Sequence, residues 1–284
     1  MIRRSVLAPL AAAITAACSP TRLASALTPL SGLQVRRDIR YAPHAAGLLD
    51  LYEPEGLPPG EPLLVFFYGG GWQTGGRAEY RFAARALAGL GAAVAVPDYR
   101  LYPAGRWPDF VEDGAAAVDS LRAAHPGRPV VAMGHSAGAF IAVALAVDPR
   151  WGVQDALSGA VGLAGPYQFG PEYAAYAPIF AAAPDGWARA LPEDTSPAGS
   201  PPLLLLHGAE DRVARPRQST FLAERAQAAG VPARAVLYPG VGHIGIMAAF
   251  APPVRALGLA RAPVLEDVAA FLAGMRRAAR AASG

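Results

Sequence analysis

Apolar residues in this chain follow two alternating patterns. Short continuous runs at 63–67, 92–96, 130–133, 160–163, 203–206 and 235–237 predict strands buried on both faces. Between them, apolar positions recur at helical spacing over 77–90, 109–124, 136–146, 221–229 and 264–279, which predicts helices. Segments 35–41 and 48–52, with a turn near 43–47, predict an antiparallel hairpin ahead of the first buried strand. Strand–helix alternation implies βαβ units. The expected class is α/β, a mostly parallel twisted sheet with antiparallel N-terminal edge strands and helices on both faces. Residues 165–201 break the pattern. They are rich in Pro, Ala and Tyr, without a clean period, and predict a lid-like insertion.

The first 33 residues read differently. Arg3 and Arg4, an apolar run over 6–17 and then Cys18 predict an export signal over 1–17. The run is too short for a spanning helix, which needs about 20 residues. Ala16 and Ala17 before a lone cysteine resemble a bacterial lipobox, so Cys18 is the expected lipidation site. Residues 18–33 read as a tether and 34–284 as the folded domain. The chain would then be an exported, membrane-anchored lipoprotein on the periplasmic face, touching the membrane only through that anchor.

Composition narrows the partners. The chain is 284 residues long, 53% hydrophobic and 17% charged, enough to bury a large core. Its net charge of +3 comes from scattered arginines, not a stripe, and predicts no nucleic-acid face. One cysteine allows no intrachain disulfide. Nothing in the pattern fixes an oligomeric state.

The chemistry begins at Gly134-His135-Ser136-Ala137-Gly138. A G-x-S-x-G between a buried strand and an apolar helix is a nucleophile elbow, with Ser136 exposed on a tight turn. A serine hydroxyl needs a base. Of the five histidines, His44 lies in the edge hairpin, His125 follows a helix, His135 adjoins the nucleophile and points elsewhere, and His207 ends a strand and reads as a packed or supporting residue. His243, in the Gly-rich loop after the last strand, is the candidate base. Asp211, just past the strand 203–206, is the candidate acid, preferred over its neighbour Glu210. Three glycines after the strand 63–67 then find a use. Gly69 reads as the turn, and the N–H groups of Gly70, Gly71 and Ala137 as donors to an oxyanion. Phosphate is a poor rival: the chain has no Lys for a P-loop and the glycines do not space as G-x-G-x-x-G.

These motifs resemble the α/β-hydrolase superfamily, in its esterase/lipase group with a His-Gly-Gly-Gly loop, and especially bacterial carboxylesterase and feruloyl-esterase-like domains. The matches are Tyr68-Gly69-Gly70-Gly71-Trp72, Pro97-Asp98-Tyr99-Arg100-Leu101, the elbow, Asp211 with Val213, and Gly242-His243. The resemblance implies hydrolysis of small or aryl carboxylic esters through an acyl-enzyme, with no metal or cofactor. No two histidines stand at zinc-ligand spacing either. Two other readings stay open: a formamidase-type amide hydrolase on the same triad, and a non-catalytic, surface-tethered binding protein. Tyr68 stands where the group usually has His, either as a substitute brace or beside the acyl group. Trp72, as a loop anchor or a pocket wall, Tyr167 and Tyr173 are the expected pocket residues, with Phe169, Tyr176, Phe180 and Trp187 as further candidates.

Overall fold

A computed structural model describes residues 20–168, 171–181 and 197–283. Its strands are β1 (Leu33–Arg40), β2 (Leu48–Pro54), β3 (Leu63–Phe67), β4 (Ala93–Pro97), β5 (Val130–His135), β6 (Leu157–Leu163), β7 (Leu203–Gly208) and β8 (Ala233–Tyr238). They form one eight-stranded sheet in the order β1-β2-β4-β3-β5-β6-β7-β8. β1 pairs antiparallel with β2, and β2 with β4; every other pairing is parallel. The expected class therefore holds, hairpin included.

The apolar runs explain the layout. All residues of β3, β4 and β5 are buried, because helices cover the sheet where these strands lie. β1 carries Arg36, Arg37, Asp38 and Arg40, a charged edge that resists pairing with another chain. Register sets the site. Phe67 pairs with Gly134, His135 with Leu163, and Gly208 with Tyr238. The chain thus leaves β3, β5, β7 and β8 at one edge of the sheet, their C-terminal ends.

The helices are α1 (Pro20–Ala26), α2 (Arg81–Ala88), α3 (Asp109–Ala124), α4 (Ala137–Val147), α5 (Arg217–Ala228), α6 (Gly245–Ala248), α7 (Pro252–Ala256) and α8 (Val264–Ser283). Every residue of α4 is buried, as its uniformly apolar sequence requires.

Two expectations need correction. Residues 20–26, assigned to the 18–33 tether, form α1 and dock on the domain. Ser25 is buried and donates its Oγ–H to the Glu79 carbonyl at 2.7 Å, while Arg81 Nε donates to the Ser25 carbonyl at 2.7 Å. These contacts join residues far apart in sequence, which local pattern cannot reveal. The helix expected over 77–90 is a 3₁₀ turn, Arg77–Tyr80, followed by α2. The short helices α6 and α7 were not anticipated; neither is long enough to show a period. Within the insertion 165–201, a 3₁₀ helix spans Pro171–Tyr176, and Ile179 and Phe180 are buried. Cys18, Phe169 and Trp187 lie outside the described residues.

Candidate active site

Ser136 stands between β5 and α4 with φ +53° and ψ −119°. A non-glycine residue pays about 1–3 kcal/mol for such backbone and needs its surroundings to hold it there. The flanking glycines are that surround. A Cβ on Gly134 would lie 2.2 Å from the Gly138 carbonyl oxygen, and one on Gly138 would lie 2.1 Å from that of Phe67. The turn closes only because both side chains are absent. Ser136 N–H donates to the Leu163 carbonyl at 2.9 Å, which ties the elbow to the end of β6.

Three loops bring the predicted residues together. His243 Nε2 lies 2.9 Å from Ser136 Oγ, and His243 Nδ1 lies 2.7 Å from Asp211 Oδ2. Since Asp211 can only accept, Nδ1 carries the ring proton and Nε2 is left to receive the serine's. Asp211 Oδ1 accepts from Val213 N–H at 2.8 Å and Ala214 N–H at 2.9 Å. Burial alone would raise the Asp211 pKa. Hydrogen bonds from His207, His243 and the Ala214 amide outweigh it and hold the carboxyl well below the usual range. Asp211 therefore stays ionised.

Glu210, the rival for the acid position, does something else. Its N–H donates to the Val241 carbonyl at 3.0 Å, and its Oε2 accepts from Val241 N–H at 2.9 Å. This two-way contact holds the loop that carries His243.

The glycine loop follows β3. Gly69 N–H donates to Tyr80 Oη at 3.2 Å. Gln73 and Thr74 N–H both donate to the Gly70 carbonyl at 3.1 Å, so the loop folds back on itself. Gly70 and Gly71 have φ of +143° and +60°, a region that favours glycine. A Cβ on Gly69 would sit 3.1 Å from Ser136 Cβ, so the loop passes directly beside the nucleophile. Among the described residues, the N–H groups of Gly70 and Gly71 meet no protein acceptor. Ala137 opens α4, and its N–H is one of the four that a helix start leaves without an intrahelical partner.

Tyr68 is a brace. It is buried, stacked between Tyr99, at a ring distance of 4.5 Å, and Tyr80, at 5.8 Å. Tyr99 Oη–H donates to the Tyr68 carbonyl at 2.8 Å. Burial, then the neighbouring Tyr99 and Asp98, push the Tyr68 pKa far up, so it stays a neutral phenol.

The pocket expectations fare worse. Trp72, at φ +58°, is buried and packs on Phe110, Phe140 and Phe180; it anchors the loop from the core side. Tyr167 is also buried. A Cβ on Gly162 would lie 1.9 Å from its Oη, so it fills space left by a strand glycine and lines no cleft. The Tyr173 side chain lies outside the described residues. Tyr176, half-buried, lies beside the glycine loop: its ring would meet a Gly71 Cβ at 3.1 Å. Tyrosines are visible in the sequence, but Tyr167 turns inward because Gly162 and Gly165, just before it in the chain, leave room for its ring.

Two further histidines support the site: His135, which the sequence pointed elsewhere, and His207, expected to be packed or supporting. His135 Nε2 lies 3.2 Å from the His243 carbonyl oxygen. His207 is fully buried and reaches Asp211.

Residues 64–247 match the alpha/beta hydrolase fold family. The chain is 30% identical over 245 residues to a probable isoprenylcysteine alpha-carbonyl methylesterase of Oryza sativa subsp. japonica, covering 75% of this chain and 59% of that protein. It is 27% identical over 238 residues to esterase LipC of Mycobacterium tuberculosis, covering 73% of this chain and 59% of that one. The chain thus spans under two thirds of the length of these relatives. The crystal structure of esterase B from Lactobacillus rhamnosis superposes with a TM-score of 0.76 at 20% identity, covering 98% of this chain and 97% of that one, a likeness of fold. The match of the central 184 residues agrees with the strand order and with the strand–serine–helix turn at Ser136: the chain belongs to the alpha/beta hydrolase fold family.

Proposed function

We propose that this protein hydrolyses carboxylic esters through an acyl-enzyme on Ser136. One observation carries the reading: the unbroken chain of contacts from Ser136 Oγ through both nitrogens of His243 to an ionised, buried Asp211. In that chain His243 Nε2 takes the serine proton as Oγ attacks the ester carbonyl carbon. Asp211 steadies the imidazolium that forms. The carbonyl oxygen becomes an oxyanion, for which the N–H groups of Gly70, Gly71 and Ala137 are the donors. Losing one such donor costs about 2.7–4 kcal/mol of transition-state stabilisation. The tetrahedral intermediate collapses, and His243 returns the proton to the departing alkoxide. Water then attacks the acyl-Ser136 with His243 again as base, which releases the acid and restores the hydroxyl.

The substrates we assign are small or aryl acyl esters. Esterase names among the relatives support ester chemistry, and the half-buried Tyr176 ring over Gly71 supports a confined site. The test is a panel of short p-nitrophenyl esters and N-formyl aromatic amines. Turnover of the esters that disappears in Ser136→Ala supports the reading. Turnover of the formamides alone would replace it with amide hydrolysis.

The N-terminal segment adds a second, separate proposal: export and lipidation at Cys18, supported by the apolar run and small residues before it. Intact mass of membrane-extracted protein decides it, and a mature chain with an unmodified Cys18 would overturn it.

A further inference from the structure

The carboxylate of Asp211 faces two Ser–His pairs. One is open to substrate, Ser136 with His243. The other is sealed: His207 Nδ1 lies 2.7 Å from Ser219 Oγ, and both residues are fully buried. His207 Nε2 lies 3.1 Å from Asp211 Oδ2 and 3.0 Å from the Ala214 carbonyl oxygen. Both of these neighbours only accept, so Nε2 carries the proton and donates to both. Nδ1 is then a lone pair, and Ser219 Oγ–H donates to it.

Asp211 Oδ2 therefore accepts from two imidazoles at once, His243 Nδ1–H at 2.7 Å and His207 Nε2–H at 3.1 Å. Oδ1 accepts from two backbone amides. A carboxylate offers about four lone-pair sites, and all four are taken. Such a group cannot rotate without breaking a bond in a dry environment, where an unmade bond is expensive. Its charge is also divided among four donors, so less of it is available to His243.

We propose that His207, with Ser219 behind it, is a positioning residue for the triad acid: it fixes the Asp211 carboxylate and moderates its pull on His243. This rests on the esterase reading of Ser136. The pair does no chemistry of its own, because substrate cannot reach it. A rival role, in which His207 only props the loop 211–214 through the Ala214 carbonyl, predicts a loss of stability and nothing else.

The two roles differ in pH dependence. Among the described residues, the ionisable groups facing Asp211 and His243 are His207 on β7 and His135 at the end of β5; Glu210 turns to the Val241 amide, and Arg212 and Arg215 are exposed. Without the His207 donor, Oδ2 serves His243 alone and favours its protonated form more strongly. Serine reactivity then falls away at a higher pH.

The experiment measures the rate at which a fluorophosphonate probe labels Ser136 across pH, so no substrate need be known. In His207→Phe we expect labelling at neutral pH to slow about tenfold and the acid limb to move up by on the order of half a pH unit, as one unit needs about 1.4 kcal/mol. Ser219→Ala, which keeps the imidazole, moves the limb the same way by less, and carries the test if His207→Phe does not fold. Imidazole ¹⁵N shifts of the wild type give a check without substitution. His207 should hold its proton on Nε2; a proton on Nδ1 alone would overturn the proposal. Labelled wild type with an unmoved acid limb in both variants overturns the positioning role alone. Wild-type Ser136 that does not label overturns the esterase reading, and the pair's role with it.

Discussion

His135 donates its Nε2–H to the main-chain carbonyl of His243 at 3.2 Å. The residue before Ser136 thereby holds the backbone of His243. Its other nitrogen lies against the glycine loop, where a Cβ on Gly69 would meet Nδ1 at 2.8 Å. One buried ring touches elbow, base loop and glycine loop. His135→Leu removes the donor while keeping the bulk. We expect kcat to fall about tenfold with KM little changed, since a hydrogen bond of about 1 kcal/mol and the placement of His243 are lost together. Steady-state kinetics on a p-nitrophenyl ester check this.

The same residue sets a pH dependence of stability. Burial, and then the nearby His243, lower the His135 pKa from 6.5 to about 3. Between those values the unfolded chain binds a proton that the folded chain does not. Stability is therefore complete above about pH 6.5 and declines as pH falls toward 3. The loss from this one group reaches roughly 3–5 kcal/mol at the acid end. Asp211, with its lowered pKa, adds to the acid loss only below the usual carboxylate range. Urea unfolding at pH 4.5 and 7.5 should show a smaller difference in His135→Leu than in the wild type.

Glu210 gives a milder prediction. Its carboxylate is exposed on one side and holds Val241 N–H at 2.9 Å. Glu210→Ala should cost about 1 kcal/mol or less of stability, because solvent screens an exposed group. Freed from this contact, the His243 loop should lower kcat severalfold. Hydrogen exchange at the Val241 amide, measured beside kinetics, should speed up in the variant.

Two glycines make a contrasting pair. Gly138→Ala would place a Cβ 2.1 Å from the Phe67 carbonyl oxygen, backbone that cannot yield. Gly240→Ala, at φ +72°, meets nothing within 4 Å. We expect the first to lose soluble, folded protein and the second to cost about 1 kcal/mol, the strain of a left-handed non-glycine residue. Thermal melts of both variants decide it.

The meeting of Ser136, Asp211 and His243 was legible because these residues lie in local contexts: strand, serine and helix at 136; strand end at 211; glycine-rich loop at 243. The sheet was legible for the same reason, since continuous apolar runs mark strands buried on both faces. What escaped the sequence depends on distant partners. The helix at Pro20–Ala26 is fixed by Glu79 and Arg81. The ring orientation of His207 escaped it too, because Ser219, which orders that ring, belongs to the next helix. Trp72 and Tyr167 look the same in sequence whether they face a cleft or the core. Their burial is decided by Phe180 and Gly162.

The central claim is that Ser136 carries an acyl group during turnover. The most direct measurement is mass spectrometry of protein quenched in acid while it hydrolyses an aryl ester. One acyl mass increment, located by peptide mapping at Ser136, is expected, with no increment and no turnover in Ser136→Ala. Undiminished hydrolysis by Ser136→Ala, or an acyl group found on another residue, would contradict it.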